Sequence, residues 1–563
     1  MRRRLTTLLF AVTVSVLALS SFFVHLSGDL LLLRRPRAAS SAAAIVGRSA
    51  YPRSSHAVRE ILQLVPRRRA PTPDAAVLLP DWEALLLLPP SSAAAAEPLS
   101  CVFDNGATSP ARLGGGGGGS AAAAFASCVL PLSVRRLRPF YSPRLIGSSD
   151  APIPRSEGSD RSAEMIRWSP LVYDAISTPD DIVVFAKGVN TRQGANRPAA
   201  DLLCVFSDSG GASSSAVVAA VAATSSAQEV FRCPHPPPEA LSRTFSSPLR
   251  ISLAIAPDFS PAIPSVANYH PPRVPPRGEL GNTPRSLICA CTMVYNAAKF
   301  LREWVAYHAA VGVDRFYVYD NASDDDLVPA VDRLVSEGFN VSARYWPWPK
   351  AQEAGFSHCA AVSRAECEWM AFIDVDEFVF SPNWAGSARP ARSMLGSVVS
   401  VPPSVGQVSI DCHVFGPSGQ TAHPKGGVTQ GYTCRQLAEE RHKSFIRLDA
   451  VDRSLVNSVH HFGLKEGFRT VKARSVRVNH YKYQVWDEFK LKFRRRASTY
   501  VADWTNTVNA GSRDRTPGLG FEAVEPAGWS QKFCEVNDTR LKDTNQKWFG
   551  AVGPSGEYRM AWE

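Results

Sequence analysis

The stretch Trp369-Met-Ala-Phe-Ile-Asp374-Val-Asp376-Glu377-Phe-Val-Phe380 constrains this chain more than any other. An apolar strand delivers two carboxylates, one residue apart, at its exposed end, and apolar residues resume at once. Buried acids need a partner. Two held together repel, so a shared divalent cation is the natural one. A cation on so few protein ligands keeps open positions that a diphosphate can fill. An Asp-x-Asp alone arises readily by chance; its place between Ile373 and Phe378 is what argues for metal. An EF-hand is excluded, because the later ligands and the turn glycine are missing.

After Arg285 the chain alternates strands and helices. Strands are expected at 287–293, 315–319, 341–345 and 369–373, with helices at 297–310, 325–337 and 354–364. That alternation predicts an α/β domain with a mostly parallel sheet and flanking helices. Ligands of such sheets bind outside the carboxyl ends of the strands, and three such ends carry polar residues. Tyr295 and Asn296 follow the first strand, and Asp320 and Asp324 follow the second. These four are the expected nucleotide contacts, an aromatic to stack on the base and acids for the sugar hydroxyls. Tyr295-Asn296 reads equally as a plain turn, and Ser323-Asp324 as a helix N-cap. The third end carries Asp374 and Asp376, the expected metal ligands. His480, at the end of the run Val476-Arg-Val-Asn-His-Tyr, is the expected third ligand, with His460 and His461 in competition. Asp411, after the apolar run Val408-Ser-Ile410, is the expected catalytic base; Glu439 and Glu440 are alternatives. Glu377 reads as a brace for the metal site. The basic helical face at 489–496 reads as solvated.

Upstream, Arg2, Arg3 and Arg4 precede a 22-residue run, residues 5–26, without Asp, Glu, Lys or Arg. That length spans a bilayer as a helix, and the leading arginines favour a cytosolic N-terminus. A cleaved signal is the alternative. The expected organisation is a cytosolic tail and membrane anchor at 1–33, a flexible Ala/Pro/Ser/Arg-rich stem at 34–97, a β-rich domain at 98–256, a Pro-rich linker at 257–284 and the α/β domain at 285–563. The glycine run 114–119 reads as a low-complexity insertion. Eleven cysteines without zinc spacing suit an oxidising lumen, and their odd number leaves at least one unpaired or bridging chains. Cys204 and Cys233 lie in expected strands, either as a pair or as two buried thiols. The net charge of +11 suits anionic partners without choosing among them.

Five ordered motifs carry a family resemblance: Cys291-Thr-Met-Val-Tyr-Asn296, Glu303-Trp-Val-Ala-Tyr-His308, Phe316-Tyr-Val-Tyr-Asp-Asn321, Phe372-Ile-Asp-Val-Asp-Glu-Phe378 and Asn479-His-Tyr481. Together, over residues 285–510, the chain resembles glycosyltransferase family 92 of plants and animals. The resemblance implies a GT-A fold, a UDP-sugar donor (typically UDP-galactose), Mn2+ or another divalent cation, and inversion at the anomeric carbon. Plant relatives include β-1,4-galactan synthases of pectin, so a polysaccharide or glycan acceptor, pectic in kind, is the implied partner. Their N-terminal β domain resembles a carbohydrate-binding module. The expectation is thus a Golgi single-pass type II membrane enzyme with a luminal catalytic domain, forming homodimers and binding no nucleic acid. The rival expectation is a catalytically silent glycan-binding protein on a transferase fold.

Overall fold

The computed structural model describes residues 70–89, 98–114, 124–147, 162–190, 195–208, 216–241, 248–272, 284–491, 525–554 and 556–563. The apolar run 5–26, the stem up to residue 69, most of the glycine run, linker residues 273–283 and the basic triplet 494–496 lie outside them. Among the described residues, no helix is long and apolar enough to cross a membrane.

The centre is a ten-stranded sheet. Its first half alternates with helices: β1 (Ser286–Val294), α1 (Ala298–Val311), β2 (Arg315–Asp320), α2 (Leu327–Ser336), β3 (Val341–Tyr345), α3 (Gln352–Ser363) and β4 (Cys367–Phe372). Then follow β5 (Glu377–Phe380), β6 (Val405–Phe415), β7 (Cys434–Arg447), β8 (Arg469–Lys472), β9 (Arg477–His480) and β10 (Val536–Asn537). The order is 3-2-1-4-7-6-9-5, with β8 on β6 and β10 on β7. Strands 3, 2, 1 and 4 run parallel. Strand 7 is antiparallel to both 4 and 6, and strand 5 to 9. Strand 6 also runs parallel to 8 and 9, so the sheet is mixed, and the expected parallel order holds for strands 3, 2, 1 and 4. Helical crossovers join the parallel strands 1 to 4.

Local sequence explains the elements. Ile288 to Cys291 are fully buried, as a strand covered on both faces demands. On α1, Leu301, Trp304, Val305, His308 and Val311 recur at helical spacing and are all buried. Gly312 ends that helix at φ 130°, and a Cβ there would stand 2.3 Å from the Arg392 carbonyl oxygen. The chain turns back between β1 and β4, so a crevice opens at the carboxyl ends of that pair.

The N-terminal region forms a seven-stranded sheet within residues 75–167 and a sandwich of three- and four-stranded sheets within 171–255. Two strands of the first, Ala75–Leu79 and Glu83–Leu88, fall inside the expected flexible stem. The Ala/Pro/Ser-rich composition hid two apolar runs. They pair with each other and bury Val77, Leu85 and Leu86 completely. These layers share a core with the main sheet: Phe125 meets Tyr345 at 5.3 Å, and Tyr173 meets Trp348 at 4.9 Å between ring centres. Arg344 on β3 pairs with Asp174 at 2.9 Å.

Cys204 and Cys233 are disulfide-bonded, joining the two sheets of the sandwich. Cys289–Cys367 links β1 to β4, and Cys291–Cys359 links β1 to α3. Cys101–Cys128 and Cys434–Cys534 complete the pairs; Cys412, buried, stays free.

Candidate active site

A cavity of about 1940 Å³ opens at the carboxyl ends of β1 and β4. Its wall includes Tyr295, Asn296, Asp324, Asp374, Asp376 and His480. Asp320 and Asp411, both expected in the site, are not part of that wall.

The nucleotide side is built by two loops that hold each other. Asn296 sits at φ 49°, and its backbone N–H donates to Ser323 Oγ at 3.0 Å. Its side-chain amide donates to Asp324, whose own N–H donates back to Asn296 Oδ1 at 2.8 Å. Asp325 caps α1 by accepting from Ala298 N–H at 2.8 Å. Ser323 and Asp324 therefore tie down the β1–α1 turn and do not cap α2, which starts at Leu327 without a side-chain cap bond. Asp320 is buried and accepts from Ser323 N–H at 2.8 Å, so it shapes its own turn instead of facing the cavity. The seven-stranded sheet reaches this side too. Arg112 pairs with Glu83 at 2.7 Å and with Asp324 at 3.2 Å, and all three line the cavity.

The acidic turn joins β4 to β5. Asp376 Oδ2 lies 3.6 Å from His480 Nε2, and the Asp376 carbonyl accepts from Tyr481 N–H at 2.9 Å. The register pairing Glu377 with His480 across β5 and β9 produces this approach. Donor atoms of Asp376, Glu377 and His480 all fall within 4.8 Å of one another, a spacing that fits a divalent cation. Glu377 is fully buried and both its oxygens are engaged. Oε2 accepts from Asp374 N–H at 3.0 Å, and Oε1 pairs with Lys443 at 2.5 Å. Glu377 is also absent from the cavity wall, so an ion entering from the cavity meets Asp374, Asp376 and His480, with Glu377 behind them.

The buried Lys443 is the residue the sequence reading missed. Its ammonium touches Glu377, stands 3.4 Å from Asp374 Oδ2 and donates to His460 Nε2 at 2.6 Å. Burial pushes Lys443 down and Glu377 up, while their mutual attraction favours the charged pair. His460 donates through Nδ1 to the Phe372 carbonyl at 2.8 Å. Burial first, and then the Lys443 charge, push its imidazole down to about 3, so it stays neutral and accepts from the lysine. The available signal was a lysine leading directly into Ser444-Phe445-Ile446, the buried end of β7.

Asp411 is corrected as the expected base. It lies in mid-strand on β6 and pairs with Lys472 on β8 at 2.6 Å. Burial raises its carboxyl, but hydrogen bonds with Lys472 and Glu439 outweigh that and hold it below the usual carboxylate range. Glu439 is itself tied to Arg477 and lies 3.3 Å from His413. Of the three carboxylates considered, Glu440 alone lines the cavity.

Comparison with known proteins follows the same lines. The model of the family "Glycosyltransferase family 92" matches residues 285–511. A family 92 protein of Arabidopsis thaliana is 45% identical over 392 residues, covering 68% of this chain and 67% of that protein. Relatives from Ricinus communis and Oryza sativa subsp. japonica are each 43% identical, over 390 and 399 residues, with 68% of this chain and 67% of each relative covered. Among solved structures, a mannosyltransferase from Pyrobaculum calidifontis in complex with GDP-Man and Mn2+ is 16% identical. It covers 38% of this chain and 62% of its own, and a TM-score of 0.25 carries no argument. On its sequence and its relatives, the chain belongs to glycosyltransferase family 92.

Proposed function

We propose that this chain is a Golgi type II membrane glycosyltransferase of GT-A type that moves galactose from UDP-galactose to a pectic glycan acceptor, with inversion and with a divalent cation. The observation that carries the reading is the acidic turn at the switch point of the sheet, with Asp374, Asp376 and His480 on one cavity wall. The donor atoms present suit a hard cation of the Mn2+ or Mg2+ kind. Bound there, it would neutralise the leaving diphosphate.

The chain's own residues do the rest. Tyr295, Asn296 and Asp324 receive the nucleotide, and the hydrogen bonds of Asn296 with Ser323 and Asp324 fix the pocket before the donor arrives. Lys443 keeps Asp374 and Glu377 from repelling each other and so holds the turn in one geometry. Inversion needs one base on the acceptor side; Glu440 takes the acceptor proton. Five disulfides support an oxidising compartment, in keeping with a luminal domain.

A panel of UDP-sugars, with and without EDTA and with galactan oligosaccharides as acceptors, tests the reading. Galactosyl transfer with inverted product is expected. Binding of glycan without turnover of any donor would establish the silent-lectin alternative instead.

A further inference from the structure

The loop between β7 and β8 carries His460, and its conformation is imposed from outside. Leu455 and Val459 have φ of 56° and 64°. A β-branched residue is rarely found there, and such backbone persists only when its surroundings over-determine it. Helix α3 supplies part of that constraint. Asn457 Nδ2 donates to the Glu353 carbonyl at 3.0 Å and to Ser357 Oγ at 2.8 Å.

The N-terminal sandwich supplies the remainder. Gln228 clasps the Asn457 peptide from both sides. Its Nε2 donates to the Asn457 carbonyl at 2.6 Å, and its Oε1 accepts from Asn457 N–H at 3.1 Å. Gln228 itself adopts φ 54°. Nearby, Asp181 is buried and receives Arg232 and Arg453, each at 2.7 Å, while Arg232 Nε donates to the Arg453 carbonyl. The loop is thus gripped at Arg453 and Asn457, ahead of His460, by the four-stranded sheet and its turns, outside the 285–511 span of the family model.

We propose that Gln228 and Asp181 are positioning residues for the acidic turn: by clamping the histidine loop they set His460, which holds Lys443 against Asp374. The clasp fixes Asn457, and Asn457 Oδ1 accepts from Val459 N–H at 3.0 Å. His460 follows and bridges the Phe372 carbonyl to Lys443. The working catalytic unit therefore extends into the N-terminal β layers. This rests on the reading of the acidic turn as the active site.

The test uses the full chain with Gln228→Ala, Asp181→Ala, His460→Ala and Asp376→Asn. Gln228 is half-buried, so its alanine variant keeps the experiment readable should Asp181→Ala fail to fold. In Gln228→Ala, amide hydrogen exchange across 455–462 should rise while that of β1 and β4 stays unchanged. Turnover should fall about tenfold, as small misplacements of catalytic groups do, with the donor KM little altered. Gln228→Ala added to His460→Ala should cost nothing further, because residues acting through one another are not additive. Unchanged exchange in the loop overturns the clamp. Raised exchange with full turnover, or losses that multiply in the double variant, overturn the positioning role. Full turnover in His460→Ala beside a dead Asp376→Asn also overturns it while the site reading stands. Full turnover in Asp376→Asn overturns the site reading itself.

Discussion

The Trp304 indole N–H donates to the backbone carbonyl of Glu377 at 3.1 Å, with both residues buried. One turn along α1, Tyr307 donates through its hydroxyl to the Val379 carbonyl at 2.7 Å. Helix α1 thus props the strand that leaves the acidic turn, and two motifs far apart in sequence form one structure. Trp304→Phe keeps most of the ring packing but leaves a buried carbonyl without this donor. The expected cost is about 1–3 kcal/mol, read as a lower denaturant midpoint with an unchanged slope. A variant as stable as the parent would show that the contact contributes nothing.

Lys443 and Glu377 form a buried pair, and removing one partner strands the other. Lys443→Met should destabilise the fold by about 3–5 kcal/mol. Adding Glu377→Gln removes the stranded charge and should recover part of that loss. The double-mutant cycle measures this coupling. Simple addition of the two losses would mean that the pair is not coupled.

The catalytic sheet was legible where its pattern is local. Strands β1 to β4 are short apolar runs separated by helical periodicity, and the acidic turn follows one of them, so the ends of 287–293 and 369–373 fall within two residues of those of β1 and β4. Three features were not legible for physical reasons. Strand β7 carries Glu439, Glu440, Arg441 and His442 in succession, so its alternation is masked by charge, and Lys443 went unnoticed with it. Asp411 follows an apolar run that imitates a strand end, but β6 continues to Phe415 because Lys472 neutralises the acid from the side. The strands at 75–88 are two short apolar runs between Pro73-Asp74, Pro80-Asp81 and Pro89-Pro90, and the Pro-rich composition around them hid the pair. Contacts such as Gln228 with Asn457 join residues hundreds of positions apart, and no window of sequence carries them.

Asp376 faces His480 at 3.6 Å from the cavity wall, and an amide in its place removes charge without changing shape. Asp376→Asn should lower transfer by at least about two orders of magnitude while leaving the melting temperature near the parent's. Excess EDTA should do the same to the parent, and added Mn2+ should restore it. Full activity in EDTA would exclude a metal-dependent mechanism.

Glu303 on α1 is buried against Val428 and Thr429 and offers a stability test. Burial pushes its carboxyl up to about 7, against the pull of the Thr429 hydroxyl and of two backbone N–H groups, from Thr429 and Val428. The folded state therefore retains a proton that the unfolded chain has already released. Its contribution is complete below the ordinary glutamate value and is lost as pH rises through about 7. At about 1.4 kcal/mol per unit, the loss is on the order of 3 kcal/mol between pH 4.5 and 8. Denaturant midpoints measured across that range should fall more steeply in the parent than in Glu303→Gln. Parallel curves would assign the pH dependence to other groups.

Three sequons stand in the chain, at Asn321, Asn340 and Asn537, but a sequon is only permission. Asn321 lines the cavity, and its side-chain nitrogen, the atom a glycan would occupy, donates to the carbonyls of Trp346 at 2.6 Å and Trp348 at 3.2 Å. Glycosylation there would break both bonds and fill the nucleotide side. Asn340 and Asn537 are exposed, one before β3 and the other on the short edge strand β10. Peptide mass spectrometry of protein from a eukaryotic secretory host should find Asn321 bare and Asn340 and Asn537 modified. Asn321→Gln should be less stable than Asn340→Gln, because only the first disturbs a pair of bonds to the backbone. A fully glycosylated Asn321 in active enzyme would show that the donor does not bind beside Asn296 and Asp324.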